Sequence, residues 1–395
     1  MSPPASAAHS TVSTASAPPR NCRLVLLGAG HAQVQVLHGL ARERPAHLHI
    51  TLVAPHARQM YSGMVPGFVA GHYPLEACTI ALPGLVKASG AQWRQTSAVG
   101  LDAGRRELTL ADGQTLAYDL LSINTGAVME RQAMAAQLPG GADHALFVRP
   151  IEEFARLWPH LTRLSPGGLL HLVVLGGGAA GVELAMAAHH ALNHQEGRPP
   201  GSRVTLLAGP AGVGANYPPG VRRRVLAALE RRAITVIPES GAGFEPGHAV
   251  LASGTRLACD AGVVAIGGQA PAWLQGSGLA LDDAGFIQTN AFLQSTSHAE
   301  VFAAGDIASR ADAPRPRSGV YAVRAGPPLL ANLRASANGQ PLKPYQPQRR
   351  TLNLLSCGGK TAIASWGDWS ASGAWVWWWK DRIDRAFIAR YNTAA

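Results

Sequence analysis

Two glycine-rich turns carry the clearest chemical signal in this chain of 395 residues. Gly176-Gly177-Gly178-Ala179-Ala180-Gly181 follows the apolar run His171–Leu175 and opens a helix reaching His194, completing the spacing GxGxxG. In such a turn the first two glycines let the backbone bend and approach a pyrophosphate. The last lets helix and strand pack closely, and the helix N-terminus supplies positive potential to the phosphates. The earlier turn, Gly28-Ala29-Gly30-His31-Ala32-Gln33, keeps two glycines but has Gln33 in third place, which predicts looser helix packing there. His31 could reach a bound dinucleotide, or only sit near the helix start. An acid about 20 residues beyond the glycines would hold a ribose 2′-hydroxyl. The second strands end instead in Leu52-Val53-Ala54-Pro55 and Leu206-Leu207-Ala208-Gly209, with no acid. Arg222-Arg223-Arg224 lies further on and reads as a solvated helix face, so NADH against NADPH stays open.

The sulfur and imidazole groups point away from other chemistries. Cys22, Cys78, Cys259 and Cys357 are far apart and form no CxxC or CxxxxC. That spacing excludes a zinc ribbon and a disulfide scaffold and fits a reducing cytoplasm. The four thiols read as packing residues. His190 and His194 are spaced i, i+4 with His189 alongside, but no third ligand or supporting carboxylate lies nearby. A surface histidine cluster is expected, and no metal.

Composition narrows the partners. The chain has 34 Lys+Arg against 24 Asp+Glu, a net charge of +10, and only four of the basic residues are Lys. The arginines are scattered, and no RRM, zinc-finger or basic-helix pattern appears, so no nucleic-acid partner is expected. Phosphate cofactors or an anionic membrane surface are better uses of the charge. No stretch reaches about 18 consecutive apolar residues, and no charged segment precedes an apolar one at the N-terminus. The expectation is a soluble cytoplasmic protein, or one held peripherally on the inner face of the cell membrane.

Residues 1–20 hold five Ser, five Ala and four Pro without an acid, and such a segment is expected to be disordered. Order should begin with the run Arg23–Leu27, then a helix, then a strand at His49–Val53. Between Gln92 and Gly126 the pattern changes to short strands with turn signals, ending in Leu120–Ile123 and Asn124-Thr125-Gly126. The first pattern then returns with His171–Leu175 and Arg203–Leu207. The two glycine turns start 148 residues apart, at 28 and 176. That organisation predicts an α/β protein with two doubly wound, Rossmann-like domains.

Two further segments carry a resemblance. Thr296-Ser297-His298-Ala299-Glu300-Val301-Phe302-Ala303-Ala304-Gly305-Asp306 ends an apolar run in Gly-Asp, and Tyr118–Gly126 gives a strand and a Thr-Gly turn. With both glycine turns in this order, the chain resembles the FAD-dependent pyridine nucleotide–disulfide oxidoreductase superfamily, flavoproteins with two dinucleotide-binding domains. Tyr61–Gly67, Ala70–Tyr73, Gly319–Arg324 and Trp377–Tyr391 resemble a branch found alone or fused ahead of selenide, water dikinase, close to type II NADH dehydrogenases.

The resemblance implies FAD with NADH or NADPH as co-substrate. It implies an FAD domain of residues 21–147 and 279–340 split around an NAD(P)H domain of 148–278, with a C-terminal region at 341–395. FAD would contact Gly28, Gly30, His31, Ala32, Ala98, Thr125, Gly126, Gly305, Asp306 and Tyr321, with Asp306 on the ribityl chain. NAD(P)H would contact Gly176, Gly178, Gly181, Glu183 and Gly267. Glu183 would lie close to the nicotinamide, or merely favour the helix dipole. The helix after Ser318 should start at the flavin pyrimidine. Disulfide reductases of the family place CxxxxC after the second strand, and Gln59–Gly71 here has no cysteine. The flavin would then carry the redox step itself, and the implied activity is NAD(P)H:acceptor oxidoreductase with a quinone or other small acceptor. A reductase of an oxidised selenium or sulfur species and a redox-sensing flavoprotein are the alternatives.

The C-terminus raises the membrane question. Six of the nine tryptophans fall between Trp366 and Trp379. Counted as a helix, Trp375, Trp379, Ile383, Phe387 and Tyr391 recur every four residues as an apolar stripe, with Lys380, Asp381, Asp384 and Arg385 mostly elsewhere. Such a segment (366–391) suits an interfacial helix, or packs on the flavin domain or on a second subunit as a homodimer.

Overall fold

The computed structural model describes residues 21–163, 168–194 and 199–392. The disorder expected for residues 1–20 lies outside them. Cys22–Leu27 pairs in parallel with Leu48–Val53 on one side and Leu120–Ile123 on the other. Gln92–Arg94 and Val301–Ala303 complete the sheet at its two edges, again in parallel. Parallel strands are covered on both faces, so they need unbroken apolar runs rather than alternation. Leu24, Leu26, Leu52, Leu121, Ile123 and Phe302 supply them and are fully buried.

The second sheet repeats the plan with Ala145–Phe147, Ala261–Val264, His171–Leu175, Arg203–Leu207 and Thr235–Ile237, in that order and all parallel. Each sheet carries a three-stranded antiparallel meander: Ala98–Asp102, Glu107–Leu110 and Thr115–Ala117 in the first unit, and Gly241–Glu245, His248–Leu251 and Arg256–Ala258 in the second. The edge strands show the nesting. Ala145–Phe147 enters the second sheet before that unit's glycine turn, whereas Val301–Ala303 returns to the first sheet after the second unit is complete. The two Rossmann-like folds expected from the sequence are therefore present, the first split around the second.

Gln33 does not loosen the first helix, His31–Arg42. Its side chain is buried and exchanges hydrogen bonds with the neighbouring strand: Nε2 donates to the Ser122 carbonyl at 3.0 Å, and Ser122 Oγ donates to Gln33 Oε1 at 3.0 Å. A polar side chain replaces the close glycine contact by satisfying both its groups inside the sheet.

The C-terminal region is an antiparallel sheet of Leu352–Ser356, Ala362–Trp366 and Trp369–Gly373, capped by the helix Ala374–Asn392. The stripe expected on that helix is corrected by its packing. The buried residues are Val376, Lys380, Asp384, Phe387, Ile388 and Tyr391, whereas Trp375 and Ile383 are exposed. Two of the charged residues placed outside thus lie inside, paired with each other: Lys380 Nζ donates to Asp384 Oδ2 at 2.7 Å and to the Gly63 carbonyl at 2.6 Å. Of the expected stripe, Phe387 and Tyr391 pack on the first unit, against Tyr61 and His38. Among the described residues no helix is long and apolar enough to cross a membrane.

Candidate functional site

The C-terminal ends of the first sheet's strands open into a cavity of about 400 Å³, within the ordinary range for small-molecule sites. Its floor is the first glycine turn. Gly28 has φ of +86°, and a Cβ there would come within 2.7 Å of the Asn124 carbonyl oxygen, so only glycine fits. Of the residues expected to contact FAD, Gly28, Gly30, His31, Ala98, Thr125, Gly126, Gly305 and Asp306 all line this cavity. Tyr321 lines an adjoining cavity of about 170 Å³ that shares Gly305 and Asp306. Ala32 is buried behind the turn, and its N–H is already bound to Asn124 Oδ1 at 3.1 Å. Gly319, the first residue of the helix Gly319–Ala337, also lines the cavity, so that helix starts at it.

Two residues that the sequence did not single out as contacts organise the site. Asn124 is buried and ties three elements together. Its Oδ1 accepts from the N–H groups of Ala32 and Gln33 at 3.1 Å each, and its Nδ2 donates to the Ala304 carbonyl at 2.5 Å. Its own carbonyl accepts from Gly30 N–H at 3.1 Å. The second is Arg149, whose Nη2 donates to Asp306 Oδ2 at 2.8 Å. An Asn before Thr-Gly and an Arg before Pro were the only local signals, and neither indicates such distant partners. His31 sits against Ser62 Oγ at 3.1 Å, and burial pushes its pKa down to about 4, so the ring is neutral near pH 7.

These residues fit FAD. The glycine turn brings backbone close to the cavity, the Asp306 carboxylate faces it as an acceptor for polyol hydroxyls, and a helix N-terminus adds positive potential.

The second glycine turn is built more tightly. A Cβ on Gly181 would strike the Gly176 carbonyl, so helix and turn approach too closely there for a side chain, whereas a Cβ on Gly178 meets nothing within 4 Å. Gly214 N–H donates to the Gly177 carbonyl at 2.7 Å, which folds the loop after Arg203–Leu207 onto the turn. Gly267 is exposed just beyond Ala261–Val264, the strand beside the turn's own. Arg222 is half-buried near Gly214, whereas Arg223 and Arg224 are exposed. The run of three arginines is thus not one solvated face.

Glu183 turns away from the glycine turn toward the C-terminal region, where its Oε1 accepts from Ser356 N–H at 2.7 Å. Burial raises its pKa to about 7, opposed by Lys380 and by the Ser356 bond. A carboxyl whose folded pKa exceeds its unfolded value of 4.5 adds stability that is complete below that value and lost as pH rises through about 7. Glu183→Gln should therefore flatten the fall in stability between about pH 5 and 8, by roughly 1–3 kcal/mol. Melting curves across that range check this; an unchanged pH profile would refute the assignment.

No cysteine lines the cavity. Cys78, Cys259 and Cys357 are buried, and burial lifts their pKa values to about 12, 11 and 11 respectively, so none is a thiolate near neutrality. The histidine cluster is less superficial than expected. His190 is half-buried beside His72 from the first unit, with ring centres 5.1 Å apart, and His72 Nε2 contacts the Gly358 carbonyl at 2.7 Å. Among the described residues no group of three His, Cys, Asp or Glu could hold a metal.

Two nested dinucleotide folds, with a cofactor cavity at the glycine turn of the first, define an FAD-dependent NAD(P)H oxidoreductase. Residues 22–326 match the family model for pyridine nucleotide-disulphide oxidoreductases, and the chain belongs to that family. Its cofactors are FAD and NADH or NADPH. The chain is 28% identical over 299 residues to an NADH dehydrogenase-like protein of Mycobacterium tuberculosis, covering 73% of each chain. It is 26% identical over 290 residues to the demethylphylloquinone reductase NdbB of Synechocystis, covering 68% of each. Among solved structures, the sulfide:quinone oxidoreductase of Aquifex aeolicus superposes with a TM-score of 0.77 at 17% identity, covering 94% of this chain and 92% of that one. That last likeness concerns the fold.

Proposed function

We propose that this protein oxidises NADH or NADPH and reduces a quinone without a dithiol relay. The observation that carries the reading is the cofactor cavity without a thiol in its walls. The relatives named as NADH dehydrogenase-like and as a demethylphylloquinone reductase support the quinone. When bound, FAD would supply the redox chemistry, accepting hydride from the nicotinamide and passing two electrons to the acceptor. The FAD domain would comprise residues 21–147 and 279–340 around an NAD(P)H domain of 148–278, with Ala145–Phe147 lending an edge strand to the second sheet.

The protein's own work is binding and orientation. The backbone at Gly28 and Gly30 receives one pyrophosphate, with Ala98, Thr125 and Gly126 along the dinucleotide and Gly305 and Tyr321 flanking Asp306. Gly176, Gly178, Gly181 and Gly267 receive the other dinucleotide, with Glu183 behind them. Arg149 fixes the Asp306 carboxylate for the ribityl hydroxyls. His31, neutral at working pH, adds no positive charge beside the flavin.

The outward tryptophans of 366–391 would rest on the membrane that holds the quinone. A homodimer is the competing use of that surface, and light scattering without lipid separates the two. The decisive experiment is stopped-flow reduction of the flavin by NADH and by NADPH, followed by reoxidation with a panel of quinones. Catalytic turnover is expected, and a variant with all four cysteines changed to Ala should keep it within about threefold, since such replacements leave the flavin's surroundings intact. Turnover that vanishes in the folded, FAD-loaded cysteine-free variant would establish a thiol relay. Stoichiometric reduction without turnover would favour a redox sensor.

A further inference from the structure

The hairpin that carries Trp366 and Trp369 packs beside the helix Pro219–Glu230, and between them lies a cleft of about 290 Å³. It is lined by Gly220, Arg223, Arg224, Ala227, Arg231, Ser370 and Ser372, with no carboxylate among them. None of the three arginines has an ion-pair partner among the described residues. Arg224 is held in place by the hairpin: Nε donates to Ser370 Oγ at 3.2 Å and Nη1 to Ser372 Oγ at 3.1 Å. Gly220 stands at the start of its helix, whose first turn contains no acid. Concentrated positive charge left without a counter-charge is electrostatically unfavourable, and guanidinium forks beside hydroxyls match the oxygens of a phosphate.

Along the edge of the same hairpin, on the face opposite Ser370 and Ser372, lies an aromatic surface that could carry that phosphate. Trp366 and Trp369 are a cross-strand pair at its tip, 47% and 50% exposed, and Trp375 and Trp378 on the following helix are 53% and 59% exposed. Each part of this aromatic surface has a cation at hand. Arg350 lies against Gly367 in the hairpin turn, and the Arg382 guanidinium sits 5.8 Å from the Trp378 ring centre. Half-exposed tryptophans beside cations suit the headgroup level of an anionic bilayer.

We propose that the cleft formed by Arg223, Arg224, Arg231, Ser370 and Ser372 binds the phosphate of an anionic lipid headgroup while the neighbouring tryptophans enter the interface. This rests on the membrane contact proposed above and adds to it a specific headgroup subsite between the second dinucleotide domain and the C-terminal sheet. The cleft shares no lining residue with the cavities at the first glycine turn or with the residues assigned to NAD(P)H.

The test is co-sedimentation of the FAD-loaded protein with vesicles of phosphatidylglycerol mixed into phosphatidylcholine, and with phosphatidylcholine alone. The double variant Arg223→Ser, Arg224→Ser should lose about tenfold or more in affinity for the anionic vesicles, each basic residue near such a surface being worth about fivefold. Its weaker binding to phosphatidylcholine should be unchanged. Trp369→Ser should weaken binding to both. Reduction of a water-soluble quinone by NADH, measured without lipid, should be equal in all three proteins, so a failed lipid result is separable from a failed quinone assignment. Anionic binding that survives the double substitution would overturn the proposal. So would tight binding of inorganic phosphate, lost in the double variant, by a protein that binds neither vesicle: the cleft would then serve a free phosphate compound. Dimerisation through the tryptophans with no vesicle binding would overturn it as well.

Discussion

Asp306→Ala should emerge from purification with most of its FAD missing and should bind added FAD about 100-fold more weakly. The substitution removes the acceptor that faces the polyol chain of the cofactor. It also strips Arg149 of its partner at 2.8 Å, leaving a part-buried guanidinium unpaired in the wall of the cavity. Loss of one charge-assisted hydrogen bond is worth about 1.5–3 kcal/mol, and two such effects fall on one site. Absorbance of the bound flavin against protein concentration checks the result. Asp306→Asn keeps an acceptor oxygen and should retain more FAD than the Ala variant. Full FAD loading of Asp306→Ala would remove this carboxylate from the cofactor's contacts.

Gly178→Val should leave FAD bound and cut the rate of flavin reduction by NAD(P)H about 100-fold or more, while dithionite still bleaches the flavin at the normal rate. Gly178 is exposed and a side chain there would meet no protein atom within 4 Å of its Cβ, so the fold accepts it. What it obstructs is the approach of a pyrophosphate to the backbone. Gly181→Val makes the contrast. Its Cβ would meet the Gly176 carbonyl, so this variant is expected to lose soluble protein rather than only its reaction with nicotinamide. If Gly178→Val is reduced by NADH at the native rate, the second glycine turn does not hold the nicotinamide dinucleotide.

The nested sheets were legible because buried parallel strands announce themselves as apolar runs, and each glycine turn marks where such a run gives way to a helix. The residues that organise the cofactor cavity were not. Asn124 acts on groups 91, 92 and 180 residues away, and Arg149 on a carboxylate 157 residues away. Nothing in local spacing encodes such partners. The C-terminal stripe failed for a geometric reason. Residues four apart on an α-helix drift by about 40° per step, so Trp375 and Tyr391, four steps apart, point to nearly opposite sides. Counting by fours joined residues that face different neighbours. It also hid Lys380 and Asp384, whose burial depends on meeting each other and the Gly63 carbonyl.

The helix Ala374–Asn392 also sets when the first unit can complete its fold during synthesis. Lys380 holds Gly63 across 317 residues, Asp381 accepts from Tyr73 across 308, and Asn392 is bound to Thr79 across 313. The segment Tyr61–Thr79 therefore waits at the ribosome for contacts made by residues translated 308 to 317 positions later, with the entire second unit emerging in between. Long-range closure of this kind is slow compared with local pairing. A chain lacking the helix Ala374–Asn392 would present its first dinucleotide fold with one wall missing, leaving the Tyr61 ring, which stacks on Phe387, for quality-control machinery to recognise.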